Sequence, residues 1–105
     1  MEDEKMPNVV AELKLSPLGT GTPSLSKHIA RGLKTLKNSK VKFTIGPNGT
    51  TLEGELKDVL KAVETAHNAV FSDEVQRVGT LLSIDDRRDK TLTAAGKLKS
   101  IKKKV

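Results

Sequence analysis

Apolar and polar residues alternate in four short segments of the chain. In the first segment, 8–15 (NVVAELKL), every second residue from Val9 to Leu15 is apolar. This pattern is typical of a strand that buries one face. The same pattern predicts strands at 40–46, 50–54 and 75–85. The turn signal GPNG at 46–49 joins the second and third strands as a hairpin.

Apolar residues recur at helical spacing in three other segments. We expect Thr22 and Pro23 to supply the cap and the first turn of the first helix. The second helix begins near Glu55, and the third covers about 90–103. The apolar positions are Leu25, Ile29, Leu33 and Leu36 in the first helix, Leu56, Val59, Leu60, Val63 and Val70 in the second, and Leu92, Leu98 and Ile101 in the third.

The order of these elements is β-α-β-β-α-β followed by a terminal helix. It predicts an α+β, ferredoxin-like fold, in which a four-stranded antiparallel sheet carries two helices on one face. We expect one domain over 8–103, an acidic and disordered extension at 1–7, and a basic end at 97–105. Val10 and Leu81 fall on the uncovered face, where a second copy would shield them, although single exposed apolar residues are also normal.

Composition narrows the classes of function. The chain contains no cysteine, which excludes disulfides, thiolate zinc sites and cysteine nucleophiles. Its aromatic residues are Phe43 and Phe71, so the core must be aliphatic. No apolar run approaches the roughly 18 residues of a membrane span, and MEDEKMP lacks the apolar region of a signal peptide. We therefore expect a cytoplasmic protein with no membrane partner.

The formal net charge of +6 is unevenly distributed. Acidic residues occupy 2–4, and five lysines lie between Lys97 and Lys104. Such an end can bind nucleic acid through phosphates, so a structural or nucleic-acid-associated protein is the alternative function; a solvated last helix is the interpretation we favour. RNA-recognition modules of this topology stack bases on aromatic residues of the central strands, and these strands here have none. Nucleic acid is therefore a disfavoured partner.

The stretch SPLGTGTPS at 16–24 resembles a phosphate-binding loop between a strand and a helix. A dinucleotide fingerprint needs three glycines, but Gly19 and Gly21 supply two and Ser24 occupies the third place. The next strand also turns into a hairpin rather than a parallel crossover. We therefore interpret the glycines and prolines as turn residues, and the hydroxyl groups beside the helix start as suited to a polar or anionic group.

A second candidate is NGTTLEGE at 48–55. Thr51 and Glu53 are two residues apart and therefore share one face of a strand. On the uncovered face they would meet Glu12, Lys14 and Arg77. A carboxylate flanked by hydroxyl groups can bind an aminopyrimidine edge; cross-strand pairing on a solvated face is the competing interpretation.

The remaining chemistry-bearing residues do not form a catalytic or metal-binding pattern. His28 and His67 lack ligand spacing, so we interpret them as histidines at the edge of the core. No serine lies in a nucleophile elbow. The run DDRRDK at 85–90 could hold a metal or a phosphate, but a salt-bridged turn explains it better.

With these segments in view, the chain resembles the MTH1187/YkoF-like thiamine-binding family, also called UPF0045. The likeness covers nearly all of 8–103, and its most distinctive motifs are S-P-x-G-T-G-x-x-S, G-T-x-x-E-G and D-x-R-x-D-K. It implies a ferredoxin-like subunit that forms dimers or tetramers through its sheets. It also implies binding of thiamine or its hydroxymethylpyrimidine part, with no catalytic activity and no cofactor.

The resemblance also implies a set of ligand-binding residues. Carried over position by position, they are Ser16, Gly19 and Thr20 in the loop, and Thr50, Thr51 and Glu53 in the hairpin. Our hypothesis is that Glu53 pairs with the pyrimidine and that the hydroxyl groups complete the pocket.

Overall fold

A computed structural model describes residues 8–105, so the predicted disorder of 1–7 lies outside the described residues. The α+β, ferredoxin-like fold is confirmed, because four antiparallel strands form one sheet in the order β2-β3-β1-β4 and the helices occur in the predicted order along the chain. The elements are β1 (Asn8–Leu18), α1 (Ser26–Lys34), a 3-10 turn (Thr35–Asn38), β2 (Lys42–Ile45), β3 (Thr50–Glu55), α2 (Leu56–Val70), β4 (Arg77–Asp86) and α3 (Ala94–Lys102).

The hydrophobic core lies between α1, α2 and one face of the sheet. Alternate residues of β1 from Val9 to Leu15 are buried on this face, as the sequence pattern predicts. Close contact between the two helices depends on Gly32, because a Cβ atom there would lie 2.8 Å from the backbone oxygen of Ala66. The other buried apolar residues are Leu36, Val41, Leu52, Val59, Ala62, Val63, Ala66, Val70 and Val75.

The first strand is longer than predicted. Ser16, Pro17 and Leu18, which we assigned to the loop, pair with Gly79, Val78 and Arg77 of β4. The pairing of β1 with β3 ends at Leu13, so the missing N–H of Pro17 removes no bond on the β3 side of the strand. The loop before α1 therefore begins only at Gly19.

The predicted cap of the first helix is wrong. The N-cap position of α1 is Leu25, and no side chain caps it. Thr22 instead accepts a hydrogen bond from the Ser24 N–H (3.3 Å), and its carbonyl accepts one from the Thr20 hydroxyl (2.7 Å). These local turns contain Gly19 and Gly21, which both have positive φ, and they engage the Thr20 and Thr22 hydroxyl groups before the helix starts.

The last helix, α3, lies on the face of the sheet opposite α1 and α2, which we call the open face. It begins at Ala94, several residues later than the spacing of Leu92 suggested. Val10 on the open face is 8% exposed, although none of the residues of α3 is itself buried. Within residues 8–105, no helix is long and apolar enough to cross a membrane.

Candidate ligand-binding cleft

A cleft of about 450 Å³ lies between the open face of the sheet and α3. The strand register explains its floor, because Glu12 of β1 stands between Thr51 of β3 and Ser83 of β4. The lining residues are Val10, Ala11, Glu12, Thr44, Thr51, Ser83 and Asp85 on the sheet and Ala94, Lys97, Leu98 and Ile101 on α3. We call this space the sheet–α3 cleft.

Three carboxylates lie in or beside this cleft, and each already has a protein donor. The Thr51 hydroxyl donates to Glu12 Oε1 at 2.9 Å. Glu53 Oε2 accepts a hydrogen bond from the backbone N–H of Ala94 at 3.0 Å and so attaches the start of α3 to β3. Asp85 forms an ion pair with Lys97 of α3. Of the lining residues, two are acidic and one is basic, so the cleft favours a ligand that carries amine donors or a positive charge.

The wall formed by α3 is apolar and accessible. Leu98 and Ile101 are 55% and 56% exposed, while Val10 on the facing strand is almost fully buried. Apolar side chains on one wall and carboxylates with hydroxyl groups on the other can hold a flat heterocycle and orient its polar edge.

The structure brings some of the predicted site residues together and separates others. Thr51 lines the sheet–α3 cleft, Glu53 lies at its edge, and both are near Glu12, as alternation predicts. Thr50 is 2% exposed and lies on the core side of the sheet. Together with Ser16 it lines a smaller hollow of about 200 Å³ beside the GPNG turn, which we call the β1-end hollow.

The other two predicted residues lie outside both spaces. Gly19 borders a hollow with Asp73 and Arg77, and the Thr20 hydroxyl donates to the carbonyl of Thr22. The six residues therefore do not meet in one cavity of a single chain.

Sequence reasoning missed the wall that α3 contributes. Lys97, Leu98 and Ile101 face the cleft, and the signal was the weak apolar stripe formed by Leu98 and Ile101. That stripe becomes informative once α1 and α2 occupy the other face of the sheet, because a third helix can then pack only on the open face.

The predicted salt bridges at 85–90 are present. Arg88 Nη2 lies 2.8 Å from Asp86 Oδ2, and Arg87 Nε lies 2.6 Å from Asp89 Oδ1. Hydrogen bonds from these guanidinium groups lower the pKa of Asp86 and of Asp89 below the usual value of 3.8. Both carboxylates therefore remain ionised at neutral pH.

The two histidines lie away from the cleft. His28 is 1% exposed within α1. His67 Nδ1 lies 2.6 Å from the Thr80 hydroxyl, on the side of the sheet that carries α2. Among the described residues, no group of three or more histidine, cysteine, aspartate or glutamate side chains is placed to hold a metal ion.

The basic C-terminal end divides into two parts. Lys97 points to the cleft and pairs with Asp85, whereas Lys99 and Lys102–Lys104 are exposed to solvent. Binding of nucleic acid by these exposed lysines stays a prediction.

The fold and the cleft define a class of small α+β proteins in which a helix covers one face of a four-stranded sheet. Residues 11–102 match the family model described as "Thiamine-binding protein", and the chain belongs to this family. It is 42% identical over 98 residues to a UPF0045 protein of Methanothermobacter thermautotrophicus, covering 92% of this chain and 99% of the relative. It is 38% identical to the UPF0045 protein YqgV of Bacillus subtilis, covering 90% and 94%.

Solved structures agree with this assignment. The crystal structure of the hypothetical protein MJ1052 from Methanocaldococcus jannaschii superposes with a TM-score of 0.84 at 42% identity, covering 91% of this chain and 97% of that one. A Thermotoga maritima protein described as a putative thiamine biosynthesis/salvage protein gives a TM-score of 0.75, with 90% and 99% covered. Its identity of 23% supports the shared fold alone.

Proposed function

We propose that this protein binds thiamine, or its hydroxymethylpyrimidine part, in the sheet–α3 cleft and does not transform it. The observation that carries the proposal is the pairing of Glu12 with Thr51 opposite the exposed apolar side chains of Leu98 and Ile101. Membership of a family described as thiamine-binding supports the choice of ligand. The cleft volume of about 450 Å³ also lies in the range of ligand pockets, roughly 300–1,000 Å³.

The chemistry of the ligand matches the two walls. Thiamine carries an aminopyrimidine, whose amine donates hydrogen bonds and whose ring nitrogens accept them, and a positively charged thiazolium ring. Glu12 and Asp85 supply acceptors and negative charge, and the Thr51 hydroxyl oxygen, whose proton is donated to Glu12, supplies a further acceptor. Because these carboxylates already hold Thr51 and Lys97, they are oriented for recognition before the ligand arrives.

The other residues carried over from the family give an alternative position for the ligand. Ser16 and Thr50 line the β1-end hollow, and Gly19 and Thr20 lie in the loop that follows Ser16. The hollow offers hydroxyl groups, but its volume of about 200 Å³ suits only part of a thiamine molecule. We therefore place the pyrimidine near Thr51 and Glu53. The β1-end hollow is the alternative binding position, and the experiments below distinguish the two.

We also propose that two copies associate through the open face beside α3. Leu81 there is 70% exposed, directly opposite Lys14 in the strand register. β4 is an edge strand of the sheet, so its outer backbone groups are available to a second copy. These two features support self-association, which the family resemblance implies as dimers or tetramers.

Isothermal titration calorimetry with thiamine and with hydroxymethylpyrimidine tests the proposed function. Thr51→Val should weaken binding by about 1–2 kcal/mol, because it leaves Glu12 without its donor and removes a hydroxyl acceptor for the ligand. Thr65→Val on α2 is the matched control, since the Thr65 hydroxyl bonds only its own helix at the Lys61 carbonyl.

Two results would contradict the proposal. If the folded protein gives no heat with either compound, it does not bind this class of ligand. If Ser16→Ala weakens binding and Thr51→Val does not, the ligand occupies the β1-end hollow and the sheet–α3 cleft is the wrong site.

A further inference from the structure

A second cavity adjoins the sheet–α3 cleft. It has a volume of about 410 Å³ and lies between α3 and the segment that leads to it, and we call it the basic hollow. Its charged lining residues are Arg87, Lys90, Lys97 and Asp85. Three cations and one carboxylate line it, whereas the neighbouring cleft has two carboxylates and one lysine. Arg87 is paired with Asp89 and Lys97 with Asp85, so the excess positive charge of the basic hollow belongs to Lys90.

The two spaces share the ion pair between Asp85 and Lys97, which line both of them. Both side chains are partly exposed, at 48% and 39%, so the pair is accessible to a ligand. A partly exposed ion pair contributes little to stability. A ligand with a positive and a negative group can therefore replace it with two new pairs at little cost.

The basic hollow contains donors that the fold leaves available. Within residues 8–105, no carboxylate lies at ion-pair distance from Lys90. The Thr93 and Ser100 hydroxyl oxygens accept hydrogen bonds from the Gly96 N–H and from Lys104, so both hydroxyl protons remain free to donate. Cations and hydroxyl donors around one space are the groups that bind a phosphate.

From this arrangement we propose that the basic hollow holds the phosphate of a phosphorylated ligand whose ring lies in the sheet–α3 cleft. The inference rests on the proposed function and narrows its substrate class to zwitterions, in which a cationic ring is joined to a phosphate ester. Lys97 turns from Asp85 to the phosphate, and Asp85 is released toward the positive ring or its amine. Lys90 and the Thr93 and Ser100 hydroxyls complete the phosphate contacts.

Calorimetry with thiamine and thiamine monophosphate tests the inference. We expect the phosphate ester to bind about tenfold more tightly than thiamine, and Lys90→Ala to remove most of this preference while leaving the affinity for thiamine unchanged. Lys99→Ala is the matched control: it removes the same charge from a lysine that lines neither space. The preference should also shrink as salt is added, since the contacts are partly exposed ion pairs.

A titration with inorganic phosphate separates this inference from the proposed function. If added phosphate changes the NMR chemical shifts of the amides of residues 90–100, and these changes are absent in Lys90→Ala, the basic hollow binds phosphate. This result supports the inference even if thiamine itself does not bind and the proposed function is refuted. Equal affinities for thiamine and its monophosphate overturn the inference while the proposed function stands. The inference is also overturned if Lys90→Ala and Lys99→Ala reduce the preference for thiamine monophosphate over thiamine by the same factor.

Discussion

The start of α3 is attached to the sheet by the carboxylate of Glu53, and the strength of this attachment can be measured. Glu53 Oε2 accepts the Ala94 N–H at 3.0 Å in a partly buried position. Within residues 8–105, the other polar contact between α3 and another element is the partly exposed Lys97–Asp85 pair, and α3 buries no residue of its own. Weakening the Glu53 contact should therefore release the helix without unfolding the core.

The substitution Glu53→Gln keeps an acceptor oxygen but removes the charge. A hydrogen bond to a charged group is worth about 1.5–3 kcal/mol and one between neutral groups about 0.5–1.5 kcal/mol. Allowing for partial exposure, we expect a loss of about 0.7–1.4 kcal/mol, which raises the population of undocked α3 about three- to tenfold. Affinity for thiamine falls as this undocked fraction grows, because the apparent affinity scales with the population that can bind.

Hydrogen exchange of the α3 amides is the direct assay. Exchange of residues 94–102 should become about three- to tenfold faster. The free energy of global unfolding should fall by the same amount, about 0.7–1.4 kcal/mol, because the contact is absent from both the undocked and the unfolded state, while exchange from the core by local opening should stay slow. Glu55→Gln is the matched control, since Glu55 lies on the same strand and contacts Lys57 at 4.0 Å. Unchanged α3 exchange in Glu53→Gln, or the same increase in the control, would refute the role of Glu53 as the anchor.

Three further expectations concern other parts of the molecule. Gly32→Ala should destabilise the fold by about 1–3 kcal/mol despite the better helix propensity of alanine, because the new Cβ would lie 2.8 Å from the Ala66 carbonyl oxygen. Chemical denaturation measures the change in the free energy of unfolding, and a more stable variant would contradict the prediction. Arg88→Ala should raise the pKa of Asp86 toward 3.8, which an NMR titration measures. Because the pKa of Asp86 is lowered in the folded protein, the ion pair stabilises the fold above about pH 3.8, and this contribution is lost as the pH falls through the lowered pKa. Leu81→Lys should shift the protein toward monomers in light scattering after size-exclusion chromatography, and an unchanged mass would exclude this part of the open face from the interface.

Local patterns in the sequence determined most of the elements and their faces. Alternation along 8–15 gave the buried side of β1, and the spacing of Thr51 and Glu53 correctly placed both on the open face with Glu12. These predictions succeed because the direction of a side chain on a strand repeats every two residues and needs no knowledge of distant neighbours.

The position of α3 was decided only by the tertiary structure. Its apolar stripe is weak and it buries no residue, so its own sequence does not specify a partner. The contact that attaches it joins Glu53 to Ala94, 41 positions along the chain. The length of β1 also escaped prediction, because Pro17 fits a strand only where β3 has stopped pairing.

The candidate site shows the same division. Local sequence patterns are enough to assign the carboxylate and hydroxyl groups of the strands and the face that each one occupies. The packing of α3 on the sheet brings Thr51, Glu12 and Asp85 into one cleft, while Ser16 and Thr50 line a different hollow. No local pattern predicts this grouping, because a cavity forms between elements that are distant in sequence and its walls follow from their packing.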